Sequence, residues 1–259
     1  MALLDGAPVT PDTLLALGFV NYGHFTTMRM ENGRIRGLTH HLERLDRDCR
    51  LIFAAHLDRE RVREYVRQAV EDVDGSIVVR VTVFDPDLEL SHPGATAHPR
   101  ILVTTRPAGA LPLSPMRVQT VRYQRDLPQV KNVGLFGVLR NRRTAQLDGF
   151  DDALLIDQAS LVAEGTTWNV GFYDGERVVW PSGDILDGIT MRLLQQVHDR
   201  TSTALIHVDD IPRMQAAFAT NAAIGVRPIS VIDDVALPAD HPIFETLRKE
   251  YEAIPAEHL

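Results

Sequence analysis

Cysteine and lysine are almost missing from this chain. The one cysteine, Cys49, cannot form an internal disulfide, which excludes a disulfide-stapled scaffold and points to a reducing compartment. No apolar run approaches the length of a bilayer span, so no membrane-spanning helix is expected. The opening stretch MALLDGAPVTPDTL has neither a basic start nor a long apolar core, so no signal peptide is expected. There is no internal repeat and no low-complexity segment. The net charge of −8 lacks the positive excess that a nucleic-acid or anionic-membrane partner calls for. These absences lead to the expectation of a soluble, cytoplasmic protein. What is present, 259 residues with 44% hydrophobic and 24% charged content, suffices for one large domain or two smaller ones.

Of the 27 lysines and arginines, only Lys131 and Lys249 are lysines. Lys131 stands between Val130 and an apolar, glycine-containing run. An ammonium can lose its proton when desolvated and become a nucleophile, whereas a guanidinium stays charged. A desolvated lysine here could form a Schiff base with a carbonyl. The residues alone leave a plain loop lysine open as the other reading.

Hydrophobic period and turn residues divide the chain. HFTTMRM, 24–30, reads as a strand, with Asn32-Gly33 as the hairpin turn after it. Leu42, Leu45, Cys49, Ile52 and Phe53 share one helical face, with Thr39 as the expected N-cap. A second amphipathic helix is expected over 58–72, and strands over 76–84, 100–106 and 116–123. Residues 125–132 read as a linker, with Pro128 forcing extension, and a helix is expected over 134–148. The second half offers strands at 152–157 and LVAEG, then the hairpin NVGFYDGERVVW turning at Asp174-Gly175. A helix after Gly188 follows, then short strands at 204–208, 216–220 and 226–231, and a last helix from about 241. Strands and helices mix without strict alternation, so the fold class is α+β, with a boundary near 119–127.

Four further segments carry candidate chemistry. SGDILDGITMRLL opens a helix at Ile189 and Thr190, where free amides and a hydroxyl could cradle an anion. LVAEGTTWNV sets Glu164 at a strand end, and FATNAAIGVRPI sets Thr220 and Asn221 at another. THHLERLDR offers Arg44 on a helix that also packs Leu42 and Leu45. Each has a plain structural reading as well: a capped helix, a solvated glutamate, a surface arginine. The histidines lack metal-ligand spacing, and no serine sits in a nucleophile elbow.

Taken in order, GHFTTMR, HHLERL, VKN, GFDDALLID, LVAEGTTWNV, LDGITMR and FATNAAIGVRPI resemble the class IV aminotransferase family, the fold type IV pyridoxal phosphate enzymes. That family holds branched-chain and D-amino acid aminotransferases, (R)-selective amine transaminases and aminodeoxychorismate lyase. The similarity runs from about residue 4 to about residue 232. It implies two α+β domains of the D-amino acid aminotransferase kind with the cofactor in the cleft: a small N-terminal domain over 1–120, a linker over 121–128 and a larger cofactor-binding domain over 129–259. It implies pyridoxal 5'-phosphate, with Lys131 as its Schiff-base lysine and the carrier of the substrate's α-proton. Glu164 would bond the pyridine nitrogen, and Arg44 would pair with the phosphate. The amides of Ile189 and Thr190, the Thr190 hydroxyl and Asn221 would complete the phosphate cup. It also implies a homodimer acting on amino and keto acids.

Phe136 stands where some members carry tyrosine, which turns the expectation away from branched-chain aminotransferases. Phe25-Thr26-Thr27 and Asn221 resemble the lyases instead, and Asn21, Tyr22 and His24 are unusual for the family. Phe25, Thr27 and Arg29 alternate onto one strand face and are the candidate substrate contacts. Transamination between an amino acid and a 2-oxo acid is the expected activity. Expulsion of pyruvate from 4-amino-4-deoxychorismate is the second expectation, and a catalytically silent family member the third.

Overall fold

The computed structural model describes every residue except 72 and 74. The chain divides into two compact units. Unit 1 gathers Met1–Gly109, Val130–Gly134 and Ala256–Leu259, and unit 2 gathers Ala110–Gln129 and Leu135–Pro255.

In unit 1 the chain forms β1 (Ala2–Leu4), β2 (Ala7–Pro8), α1 (Pro11–Val20), β3 (Gly23–Glu31), β4 (Arg34–Arg36), α2 (Leu38–Phe53), α3 (Arg59–Val70), β5 (Ser76–Phe84) and β6 (Arg100–Pro107). A seven-stranded sheet orders these as the C-terminal strand Ala256–His258, β4, β3, β5, β6, β1, β2. The alternation that predicts β3 and β5 splits the sheet into two faces. Met28, Met30, Ile77, Val79, Val81 and Val83 join Leu38, Leu42, Leu45 and Cys49 of α2 and Val62 and Val66 of α3 in one apolar core. Phe25, Thr27 and Arg29 lie on the opposite face. The Asn32-Gly33 turn is as expected, both residues at positive φ. The cap of α2 differs from expectation. Gly37, at φ 68, ends the β4 connection in the left-handed region and the helix begins at Leu38. Thr39 lies inside the first turn, its hydroxyl on Glu257. The second helix is capped by Asp58, which accepts from the amides of Glu60 and Arg61. Position 72, the expected end of that helix, lies outside the described residues.

β4 pairs only with Met30 and Glu31 of β3, so the first half of β3 offers an open edge. Residues 130–134 fill it. The Phe25 amide donates to the Lys131 carbonyl at 2.8 Å, and the Val133 amide to the Gly23 carbonyl at 3.0 Å. The expected linker 125–132 is therefore split, its last residues belonging to unit 1.

Unit 2 holds β7 (Met116–Arg122), α4 (Phe136–Leu147), β8 (Asp152–Ile156), β9 (Val162–Gly165), β10 (Asn169–Tyr173), β11 (Val178–Pro181), α5 (Ile189–Val197), β12 (Thr201–Ala204), β13 (Ala216–Asn221), β14 (Gly225–Ile232), β15 (Val235–Ala236) and α6 (Pro242–Ala253). Its sheet runs β12, β11, β10, β13, β14, β7, β8, β9, with β15 paired to β14. β7 runs parallel to both β14 and β8, which makes it an interior strand here, although the expected division at 120/121 cuts through it. The strand expected at 204–208 lies earlier, at β12, where it pairs with β11; residues 208–213 wind into a 3₁₀ turn instead. Ala216 and Phe218 of β13 pack with Met191 and Leu194 of α5 and Phe244 of α6, so by alternation Thr220 faces the same side.

Candidate active site

The functional part of unit 1 grows from one helix. α2 buries an apolar stripe against the sheet, and beside it a polar one: His41, Arg44 and Asp48 are all nearly inaccessible. The spacing of three and four residues places them on one side of the helix. Arg44 Nη2 donates to Thr26 Oγ1 at 2.8 Å, and Thr26 Oγ1 lies 2.7 Å from His41 Nδ1. The Thr26 hydroxyl thus links the guanidinium to the imidazole, and His41 Nε2 is buried with no hydrogen-bond partner among the described residues. Burial, followed by the charges of Arg44 and Lys131, holds His41 well below the ordinary histidine range. The imidazole is therefore neutral.

Lys131 is held next to this stripe. Its amide donates to Asp48 Oδ2 at 3.3 Å, and its ammonium nitrogen lies 4.9 Å from the centre of the Phe25 ring. Arg80 of β5 contacts the same ring, its guanidinium carbon 3.7 Å from the centre. Phe25 thus contacts two cations, a favourable arrangement for its π face. Burial lowers the Arg80 pKa and raises that of Asp48, against the pull of Arg47 and the Lys131 amide. Thr27 lies opposite Arg80 in the ladder. Arg29 is committed elsewhere, to Glu31 at 2.8 Å and to the Gly109 carbonyl at 2.9 Å.

His24 is the other unusual side chain, fully buried, with neither ring nitrogen hydrogen-bonded among the described residues. Burial, then Arg44 and Arg47, lowers its pKa to about 3. The unfolded chain takes up a proton near pH 6.5 that the folded chain refuses until near pH 3. Stability therefore falls as pH drops through the unfolded value. Urea unfolding at pH 7.5 and pH 5 should differ by about 2 kcal/mol through His24 alone, and His24→Phe should reduce the measured difference by that amount while the part owed to His41 remains.

In unit 2, Glu164 ends β9 with 4% of its surface exposed. Arg125 grips one carboxylate oxygen through Nε at 3.0 Å and Nη2 at 2.8 Å, and the Leu186 amide donates to the other at 3.4 Å. The turn after Glu164 is fixed by packing and charge. A Cβ on Gly165 would meet the Trp168 ring at 2.0 Å, so only glycine fits. Buried Asp152 accepts from Thr166, Trp168 Nε1 and Arg142, and Arg142 also reaches Thr167. Glu164 lines a cavity of about 280 Å³ with Tyr123, Arg125, Ser182 and Asp184; Ile189, Thr190 and Asn221 are not in its wall.

α5 starts after Gly188, where a Cβ would strike Asn169 Oδ1 at 1.8 Å. No side chain among the described residues caps this helix, so its first amides remain available to a ligand. The hydroxyls of Thr190 and Thr220 are buried and have no hydrogen-bond partner among the described residues. Two orphaned donors and an uncapped helix start suit an anion such as a phosphate. Asn221 is occupied differently from expectation: its amide group donates to the Thr167 carbonyl, and its oxygen accepts from Ala223 and Ile224. Its side chain ties the β13–β14 turn, leaving Thr220 as the polar group of that strand end.

Unit 1 thus brings Lys131, Phe25 and Arg80 together, with Arg44 fixed on Thr26. Unit 2 holds Glu164 on Arg125, and Ile189, Thr190 and Thr220 on the α5 side of its sheet. Sequence reasoning misses Arg80 and Arg125. A lone arginine inside the apolar strand SIVVRVTVF signals the first; nothing local signals the second, whose partner is 39 residues away.

An amine, a buried carboxylate and an anion cradle are the groups that pyridoxal phosphate requires, and the residues present fit it. The amino-transferase class IV family model matches residues 23–232. A probable branched-chain-amino-acid aminotransferase of Rickettsia felis is 25% identical over 254 residues, covering 90% of this chain and 86% of that protein. Its counterpart in Rickettsia bellii reaches 31% over 124 residues, where the match spans 45% of this chain and only 43% of the relative. Among solved structures, the branched-chain aminotransferase of Thermoproteus uzoniensis with norvaline matches at TM-score 0.86 and 19% identity, covering 97% and 93% of the two chains. A candidate 4-amino-4-deoxychorismate lyase of Legionella pneumophila matches at 0.80 and 23%, covering 92% and 93%. The family match spans most of the chain and agrees with the fold, so the chain belongs to the class IV aminotransferase family, the pyridoxal phosphate-dependent aminotransferases of fold type IV.

Proposed function

We propose that this protein moves an amino group between an amino acid and a 2-oxo acid, with Lys131 as the cofactor-bearing lysine. The observation that carries this reading is the fixing of Lys131: its amide and carbonyl are both bonded, and its nitrogen stands over Phe25. When bound, pyridoxal phosphate supplies the electron sink that stabilises the electron pair left at the substrate's α-carbon. Lys131 removes the proton from that carbon and returns one. Glu164, oriented by Arg125, keeps a proton on the ring nitrogen. Thr190, Thr220 and the first amides of α5 are the phosphate-binding groups of unit 2, and Arg44 is the candidate phosphate cation of unit 1. His41, hydrogen-bonded to the Thr26 hydroxyl, helps keep Thr26 beside Arg44.

Arg80 replaces Arg29 as the residue proposed for the substrate carboxylate. Arg29 is tied down by Glu31 and Gly109, whereas Arg80 shares the Phe25 ring with Lys131. Arg80→Met should raise KM for the keto acid by about 10- to 100-fold, as loss of a charged hydrogen bond does. Arg29→Ala should leave it within about twofold. Steady-state kinetics on both variants check this.

A cytoplasmic homodimer completes the reading. The lone cysteine supports the compartment. Leu14, Leu15 and Phe19 on α1 and the adjacent Tyr22 are exposed on unit 1, an apolar surface suited to a second copy. Sedimentation at micromolar concentration tests it.

The test of function has two stages. Borohydride reduction of the cofactor-loaded protein should fix a label that peptide mapping places on Lys131. Incubation with amino donors and added keto acids should then yield the matching new amino acid. The second reading, lyase activity, is favoured by the Legionella likeness and by Phe25-Thr26-Thr27. It is the right one if 4-amino-4-deoxychorismate gives pyruvate and 4-aminobenzoate while no keto acid is aminated. A labelled protein that does neither is catalytically silent.

A further inference from the structure

Asp48 has no part in the chemistry described so far, yet it is one of the least accessible carboxylates in the chain. A buried carboxylate costs several kcal/mol unless every oxygen is paired. On Asp48 one oxygen accepts from Arg47 through Nε at 3.0 Å and Nη2 at 2.7 Å. The other accepts the Lys131 amide at 3.3 Å. Arg47 is the preceding residue on the chain, so this pairing of Asp48 is local. The second oxygen reaches across 83 residues to a single peptide group. That peptide belongs to the candidate cofactor-bearing lysine.

Residues 130–134 are not a regular strand. A single bridge, His24 with Asn132, marks their pairing with β3. The segment bonds to β3 through the Lys131 carbonyl and the Val133 amide, and Asn132 closes back on the Val130 carbonyl at 3.0 Å. The Lys131 amide points away from β3, toward α2, and Asp48 is the group that receives it. Without Asp48 the peptide preceding Lys131 could rotate about its remaining anchor, and the direction of the lysine side chain would rotate with it. His41 and Arg44 project from the same side of α2, so one helix sets Lys131 in register with the Arg44–Thr26 pair.

We infer that Asp48 is a positioning residue for Lys131, clamping the lysine's backbone to α2 through one charge-assisted hydrogen bond. This inference rests on the reading of Lys131 as the working amine. The clamp itself is a property of the protein without cofactor.

Hydrogen–deuterium exchange on the full chain without cofactor tests it, alongside kinetics of the loaded enzyme. In Asp48→Ala the Lys131 amide should exchange at least about tenfold faster, while amides of β5 keep their protection. Turnover should fall about 10- to 100-fold, with KM for the amino donor within about threefold. Asp48→Asn can turn its oxygen to the Lys131 amide, because Arg47, with 40% of its side chain exposed, can swing from the new NH2 group to solvent, so both quantities should recover most of the way. If Asp48→Ala does not fold, Asp48→Ser, one bond too short to reach the amide, gives the same comparison. An unchanged Lys131 amide in a folded Asp48→Ala or Asp48→Ser protein overturns the clamp, as does Asn behaving like Ala. Faster exchange at Lys131 in an enzyme whose borohydride label maps elsewhere supports the clamp and removes Lys131 from the chemistry instead.

Discussion

Lys131→Arg should give a folded protein that takes no borohydride label and transfers amino groups at least about a thousandfold more slowly than the parent. The size follows from what is removed. A nucleophile that forms the covalent link to a carbonyl has no substitute in a guanidinium, which stays protonated. The substitution is otherwise mild. The amide and carbonyl of residue 131 are bonded to Asp48 and Phe25, and these two bonds do not change with the side chain. A guanidinium also stacks well on an aromatic face, so Phe25 keeps two cationic neighbours. The melting temperature should therefore shift by no more than a few degrees. Reductive labelling with mass mapping, a thermal melt and an amino-transfer assay form the check. Activity within tenfold of the parent would end the proposal that residue 131 is the covalent lysine. A loss of fold would show that Arg does not fit beside Arg80, and Lys131→Ala would then carry the comparison.

Much of this arrangement can be read from the sequence, and what cannot has a consistent physical cause. β3 and β5 announce themselves by alternation, the hairpins by Asn32-Gly33 and Asp174-Gly175, and α2, α3 and α6 by their apolar stripes. These are local signals, each set by residues within one turn or two strands. α1 escapes because it buries none of its residues fully and shows no contrast between faces. The C-terminal strand escapes because its partner, β4, is more than two hundred residues away. The same distance hides the site's supporting groups. Lys131 is conspicuous by its rarity, but its anchors on Asp48 and β3 are long-range. Glu164 is visible at a strand end, but the arginine that orients it sits 39 residues earlier. Asn221 shows another limit: a polar residue at a strand end suggests an anion ligand, while its oxygen and one amide hydrogen are already engaged by the turn and by Thr167. Residue type points to chemistry, and only the fold shows whether the group is already occupied.

Glu164→Gln should cost about a hundredfold or more in turnover, the range for loss of a positioned acid or base, with a smaller effect on KM. The argument is one of hydrogen-bond sign. The carboxylate accepts on both oxygens, from Arg125 at one and from the Leu186 amide at the other. A glutamine offers one oxygen and one NH2. If the oxygen faces Arg125, the NH2 faces the Leu186 amide, donor against donor; the reverse rotation sets it against the guanidinium. Either way a buried donor loses its acceptor, at a cost of about 1–3 kcal/mol in stability. The amide also cannot hold a proton on a pyridine nitrogen as a carboxylate can, so the electron sink is weakened even where the cofactor still binds. Arg125→Met attacks the same unit from its other end, leaving the carboxylate buried without its cation. If the two residues work as one, the double variant should be little worse than Glu164→Gln alone, a coupling visible in a double-mutant cycle. Full additivity would mean that Arg125 serves the fold rather than Glu164. Turnover within threefold of the parent in Glu164→Gln would remove Glu164 from the proposed chemistry, leaving its burial beside Arg125 as a structural ion pair.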